Sequence, residues 1–188
     1  AAFMPAGITA VNGGNPSLFW ARSTSGNNNA GSAVFYNYNS NAQGDQDMLQ
    51  LPGFNLNAVS SPQLSFDVAY ARYSSSRSDT LEVLVSTDCG ASWTQVFIKG
   101  GNTLSTASQQ TSAFVPTATQ WRNEVISLNS YAGNSSVMIR FRNRGRNGNN
   151  LYIDNINLNG TATAAPVAAF TAQTACAGSP VAFADASA

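Results

Sequence analysis

The residues that could carry chemistry are few, and their types narrow what the chain can do. There is no histidine, which removes the commonest general base, the Ser–His and Cys–His nucleophile pairs and most catalytic zinc sites. Acid–base work would fall to nine carboxylates: Asp45, Asp47, Asp67, Asp79, Glu82, Asp88, Glu124, Asp154 and Asp185. A glycosidase-type pair needs two of them about 5–10 Å apart in a cleft. Asp67 and Glu82, on what read as neighbouring strands, are the one candidate. Arg140 and Arg142 could neutralise both, and an outward lattice of ion pairs accounts for the same residues, so an enzyme is not expected.

Calcium suits the composition better, because it takes oxygens from carboxylates, amides and backbone. Asp45 and Asp47 fall in a loop just before a predicted strand, and Asp154 sits in Tyr-Ile-Asp-Asn-Ile. These three are the candidate ligands of a structural calcium ion, with a turn-capping role for Asp154 as the alternative. Cys89 and Cys176 match no metal-ligand spacing. One disulfide and two unpaired thiols both remain open for them.

For ligand binding the candidates are the aromatics of polar segments, Tyr36, Tyr38, Tyr73, Trp121, Tyr131 and Tyr152, since sugars stack on exposed rings. Packing within or at the edge of a sandwich is the other use of such residues, and Trp20 and Trp93 are assigned to the core. Arginines recur at every second position from Arg140 to Arg146. Guanidinium forks suit carboxylate and sulfate, which makes Arg142, Arg144 and Arg146 candidates for an anionic ligand. Alternation puts Arg140 and Arg142 on the outer face of a strand, and Arg144 and Arg146 in the following loop, where a solvated hairpin tip is the alternative.

The elements that must position these residues are strands. Short runs of period-two alternation, bounded by Gly, Pro, Asn or Ser, recur at residues 32–38, 63–72, 80–86, 93–98, 124–128, 136–143 and 151–158, with a weaker run at 18–22. No segment sustains helical periodicity. Leu64, Phe66, Val68 and Tyr70 share one face, as do Leu81, Val83 and Val85, and later Val137, Ile139 and Phe141; these faces should meet in a two-sheet core. The opposite faces carry Asp67, Arg72, Glu82, Arg140 and Arg142, predicting a mixed-charge outer surface on one sheet.

Only 10% of residues are charged, against roughly 25% in average soluble domains. The surface falls instead to Ser, Thr, Gly and 21 asparagines, a balance of extracellular β-proteins, while 43% hydrophobic content argues against disorder. A formal net charge of zero offers no pull toward nucleic acid or an anionic membrane. No run approaches transmembrane length and the first ten residues lack signal-peptide character, so a secreted, cell-surface location is read from composition. Residues 161–166 read as a linker of small residues, and 167–188 as two opening strands of a further, incomplete β-domain.

Two resemblances sharpen this reading. Ser86-Thr-Asp-Cys-Gly-Ala-Ser-Trp93 resembles the Asp-box, a β-hairpin device in which Asp88 bonds amides across the turn, Gly90 takes positive φ and Trp93 packs back. Over residues 1–160, Phe3–Gly7, Phe19-Trp20, Asp47–Pro52, Leu64–Phe66, Val137–Phe141 and Leu151–Ile156 resemble the MAM-like, concanavalin A-like jelly-roll domains of secreted bacterial multidomain proteins. These include adhesin-type modules of type IX secretion cargo. Pro166–Ala188 is similar to the start of a PKD-like immunoglobulin-type domain. The resemblance implies an all-β, two-sheet antiparallel jelly-roll sandwich, with structural calcium near its last strand. It also implies a non-catalytic adhesion or carbohydrate-binding module directed at a polysaccharide or cell-surface glycan. An architectural subunit pairing strands with other copies, or an accessory domain of a secreted peptidase, is the alternative.

Overall fold

The alternating runs form two five-stranded antiparallel sheets in the computed structural model, which describes residues 7–38, 40 and 42–163 and the short strands Phe170–Ala172 and Phe183–Asp185. In chain order the strands are β1 (Thr9–Val11), β2 (Ala21–Ser23), β3 (Ser32–Phe35), β4 (Gln46–Gln50), β5 (Val59–Tyr70), β6 (Thr80–Ser86), β7 (Thr94–Gly100), β8 (Arg122–Ser127), β9 (Met138–Arg144), β10 (Leu151–Ala162), β11 (Phe170–Ala172) and β12 (Phe183–Asp185). One sheet runs β1-β4-β9-β6-β7 and the other β2-β3-β10-β5-β8, while β11 and β12 pair with each other. Strand β10 pairs through Ala162 with Val59, so the ladder continues two residues into the stretch read as linker.

The predicted faces do meet. Leu64, Phe66, Val68 and Tyr70 of β5 are fully buried against Leu81, Val83, Ile139 and Phe141 of the other sheet. Phe66 lies edge-to-face with Phe141 at 4.9 Å and with Phe97 at 5.6 Å, so one ring contacts β7 and β9 across the interface. At the open edge of the sandwich, Lys99 of β7 reaches Glu124 of β8 at 2.7 Å, lacing the two outermost strands together.

Several expectations need correction. Asp67 and Glu82 lie on the outward faces of opposite sheets, because β5 and β6 follow each other in sequence but do not pair. They cannot act on one bond, and the predicted single mixed-charge surface is two surfaces. Glu82 is fully buried beneath Arg142 and Arg144. Arg144 is thereby the last residue of β9 rather than a loop residue. Trp93 is half-buried outside the core, with the Arg140 guanidinium 3.9 Å from its ring centroid. Asp47 belongs to β4 rather than to a loop, and its side chain is buried.

The β6–β7 hairpin is closed by its own side chains. Asp88 accepts hydrogen bonds from the Ser86 hydroxyl at 2.7 Å, the Ser92 amide at 2.9 Å and the Ser92 hydroxyl at 2.5 Å. The Ser92 donors, with Ser86, hold its carboxyl well below the usual carboxylate range. Gly90 has φ +88°, a left-handed value that a Cβ would penalise, and the Trp93 indole donates to the Gly90 carbonyl at 3.0 Å. Cys89 is exposed in this turn; Cys176, and with it the disulfide question, lies outside the described residues.

Candidate functional site

Strand register brings three long connections to one end of the sandwich. Leu151 pairs with both Phe35 and Tyr70, and Arg144 with both Gln46 and Thr80. Segments 36–45, 71–79 and 145–150 therefore each cross from one sheet to the other at the same end. Arg122, opposite Val68, delivers segment 105–121 there as well.

Buried polar groups hold these loops in place. Asp79 is fully buried and accepts from the amides of Arg146 (2.7 Å), Gly148 (3.1 Å) and Asn149 (2.9 Å) and from the Tyr70 hydroxyl (3.1 Å). Burial outweighs these donors and raises its carboxyl above the usual value. Burial, reinforced by the Asp79 charge, pushes the Tyr70 phenol far above its ordinary range. Asn149 takes the Phe114 amide at 2.8 Å and donates to the Ser112 carbonyl at 2.9 Å. The Asn150 amide and the Tyr152 hydroxyl both donate to the Phe114 carbonyl. One carboxylate and two amides thus stitch segments 71–79, 105–121 and 145–150 into a single support, and satisfied networks of this kind rigidify what they hold.

On this support sit three of the predicted aromatics. Tyr36 is 47% exposed. Tyr38 and Tyr73 are half-buried with ring centroids 6.2 Å apart, and the Arg77 guanidinium lies 5.5 Å from the Tyr73 centroid. At the same end, on the side of the other sheet, a cleft of about 320 Å³ opens between Gln43, Gly44, Thr80, Arg144 and Arg146; the three tyrosines do not line it. Among the described residues Arg72, Arg77 and Arg146 enter no ion pair, whereas Arg142 and Arg144 are held by Glu82. The rim of this end therefore carries free positive charge.

The remaining candidates scatter. Trp121 flanks the same end, half-buried and edge-on to Tyr152 at 6.3 Å. Tyr152 itself is buried, with its phenol pushed up to about 12 by burial, and is inaccessible to a ligand. Tyr131 lies beyond β8 at the opposite end, packed against the core. Arg142 occupies the middle of an outer sheet face. Residues that the sequence reading passed over are Arg77, within a Ser-rich run, and the amide anchors Asn149 and Asn150. The run Asn147-Gly148-Asn149-Asn150 was the available signal.

The three calcium candidates do not form one set. Asp154 faces outward from β10, cross-strand from Asp67. Its oxygens are taken by the amide of Asn27 (2.6 Å), the side chain of Asn29 (3.0 Å) and the amide of Asn155 (2.8 Å). Neighbouring Asp67 accepts from Asn155, Asn123 and Asn27; burial raises its pKa, but these donors outweigh it and leave the carboxyl below the usual range. Asp45 and Asp47 lie side by side in the other sheet's β4 region. Among the described residues no three His, Cys, Asp or Glu side chains cluster.

Two antiparallel five-stranded sheets with this crossing pattern define a jelly-roll β-sandwich. Among solved structures the chain is similar to the K1 cleaved adhesin domain of Lys-gingipain from Porphyromonas gingivalis W83, with TM-score 0.59 and 12% identity over 85% of this chain and 94% of that one. It is also similar to TmCBM61 in complex with β-1,4-galactotriose, with TM-score 0.53 and 13% identity over 85% and 91%, and to the K3 adhesin domain of the same gingipain, with TM-score 0.58 and 14% identity over 83% and 93%. At these identities the likeness establishes the fold. Neither a family model nor a curated relative matches the sequence. No helix among the described residues is long and apolar enough to cross a membrane.

Proposed function

We propose that the chain is an extracellular, non-catalytic module that binds glycans, and that it does so at the loop end of the sandwich. The observation that carries this reading is the placement at one end of the sandwich of Tyr36, of the Tyr38–Tyr73 pair with Arg77 against the Tyr73 ring, and of a separate cleft edged by Arg146, on loops braced by Asp79, Asn149 and Asn150, with neither Arg77 nor Arg146 in an ion pair among the described residues. Flat rings cover the apolar face of a sugar at little entropic cost, and a braced platform loses little freedom on binding. The free guanidiniums favour a sugar bearing carboxylate or sulfate. The similarity of the fold to adhesin domains and to a carbohydrate-binding module supports the same class.

A glycan array of neutral and acidic polysaccharides tests it. Binding is expected among the acidic members. Tyr73→Ala should weaken it about tenfold, or ~1.4 kcal/mol, and Arg146→Ala should erode the preference for acidic over neutral sugars. Silence across both classes, or affinity indifferent to Tyr73→Ala, would remove this reading.

A further inference from the structure

Asp45 and Asp47 present a problem that the rest of the fold does not solve. Asp47 is fully buried and Asp45 is 7% exposed. Each spends one oxygen on the segment between β1 and β2: the Gly13 amide donates to Asp47 Oδ1 at 3.1 Å and the Asn15 amide to Asp45 Oδ1 at 3.0 Å. The second oxygen of each, Oδ2, is buried without any hydrogen-bond partner. No cation answers them, since the ion pairs among the described residues all involve Glu82 or Glu124. Every other buried acid in the sandwich is provided for, Asp79 by four donors, Glu82 by two arginines, and Glu124 by Lys99 and Arg122.

Two adjacent carboxylates in a dehydrated site repel each other, and leaving both oxygens unanswered is strongly unfavourable. The surroundings are built tightly: a Cβ on Gly13 would run into the Gln46 carbonyl oxygen, so the loop lies directly against the start of β4. The Trp20 indole donates to the Asp47 carbonyl at 3.2 Å, closing the other side.

We propose that Asp45 and Asp47 bind a calcium ion through their Oδ2 atoms, and that this ion clamps the Asn12–Leu18 segment onto β4. The chemistry selects the metal. Two carboxylate charges match a divalent cation, oxygen is the donor element the pair supplies, and calcium accepts irregular oxygen coordination, where magnesium demands a near-ideal octahedron and holds its waters. The site is separate from Asp154, whose oxygens are already occupied, and stands whether or not the loop end binds glycans.

Terbium, a luminescent stand-in for calcium, tests the assignment, because Trp20 is placed to sensitise it. Excitation of tryptophan should give saturable terbium emission that calcium displaces. The emission should persist in Asp154→Asn and vanish in Asp47→Asn. In parallel, calcium should raise the melting temperature of the wild-type chain by several degrees over chelator. Asp47→Asn in chelator should melt at or above the wild type and lose the calcium response. If that variant fails to fold, Asp45→Asn and the wild-type titration decide. Emission that follows Asp154 instead, or a wild type whose melting is indifferent to calcium yet rises as pH falls from 7 to 5, would overturn the proposal; the latter means that the two acids share a proton.

Discussion

Asp79→Ala should destabilise the chain by about 3–5 kcal/mol in denaturant unfolding, among the largest effects of any single substitution. The carboxylate is the acceptor for three backbone amides and one phenol, all but the Arg146 amide in buried hydrogen bonds. Alanine would strand all four donors at once. Asp79→Asn retains one oxygen but turns its NH₂ group toward N–H donors, so a cost of about half that size is expected, since several bonds survive. The loss should reach beyond stability. Segment 145–149 is held at the loop end by this residue, so glycan affinity should fall even under conditions where the variant stays folded. A cost below about 1 kcal/mol would mean that the loop keeps its place by other contacts.

Phe66→Ala should cost about 3–5 kcal/mol for a different reason. Its ring is fully buried and touches both Phe141 and Phe97 edge-to-face. Truncation opens a cavity between the sheets and removes two aromatic contacts together, and the β-ladders on either side are too rigid to close over it. Phe66→Leu, which keeps most of the volume, should cost about 1–1.5 kcal/mol. A large gap between the two variants in urea midpoint is the signature of packing. Equal effects would point to a role for the ring face itself.

These two positions mark what was legible in the sequence. Phe66 was placed in the core by alternation alone, because a period of two reports which side of a strand faces inward. The same pattern is silent on which sheet a strand joins. Asp67 and Glu82 read as neighbours because consecutive strands usually pair, yet the chain crosses between sheets after β5, and the two acids end on opposite outer surfaces. β1, three residues long, carries too little apolar alternation to register, and β4 was expected only after Asp47, since Gln46-Asp47 reads as polar loop where the strand has already begun. Trp93 reads as core by composition, but its place at the end of the hairpin turn leaves one face outside, which Arg140 covers.

At the candidate site, the exposed character of Tyr36, Tyr38 and Tyr73 follows from their polar segments, whereas their convergence does not. It depends on three connections, 36–45, 71–79 and 145–150, that are far apart in the sequence but end at the same end of the sandwich, a property of register. Tyr131 lies in an equally polar segment and falls at the far end. The calcium candidates divide for the same reason: Asp45 and Asp47 are two residues apart and stay together, while Asp154 is carried to the other sheet by β10.

The most direct test of the central claim is amide chemical-shift mapping during titration with an acidic oligosaccharide. Binding at the loop end predicts saturable shifts concentrated in segments 36–38, 42–46, 71–79 and 145–148, with little change at Asn123, Asn155 or the β6–β7 turn. Shifts gathered instead on the outer face around Asp67 and Asn123, or no saturable shifts at millimolar sugar, would contradict it.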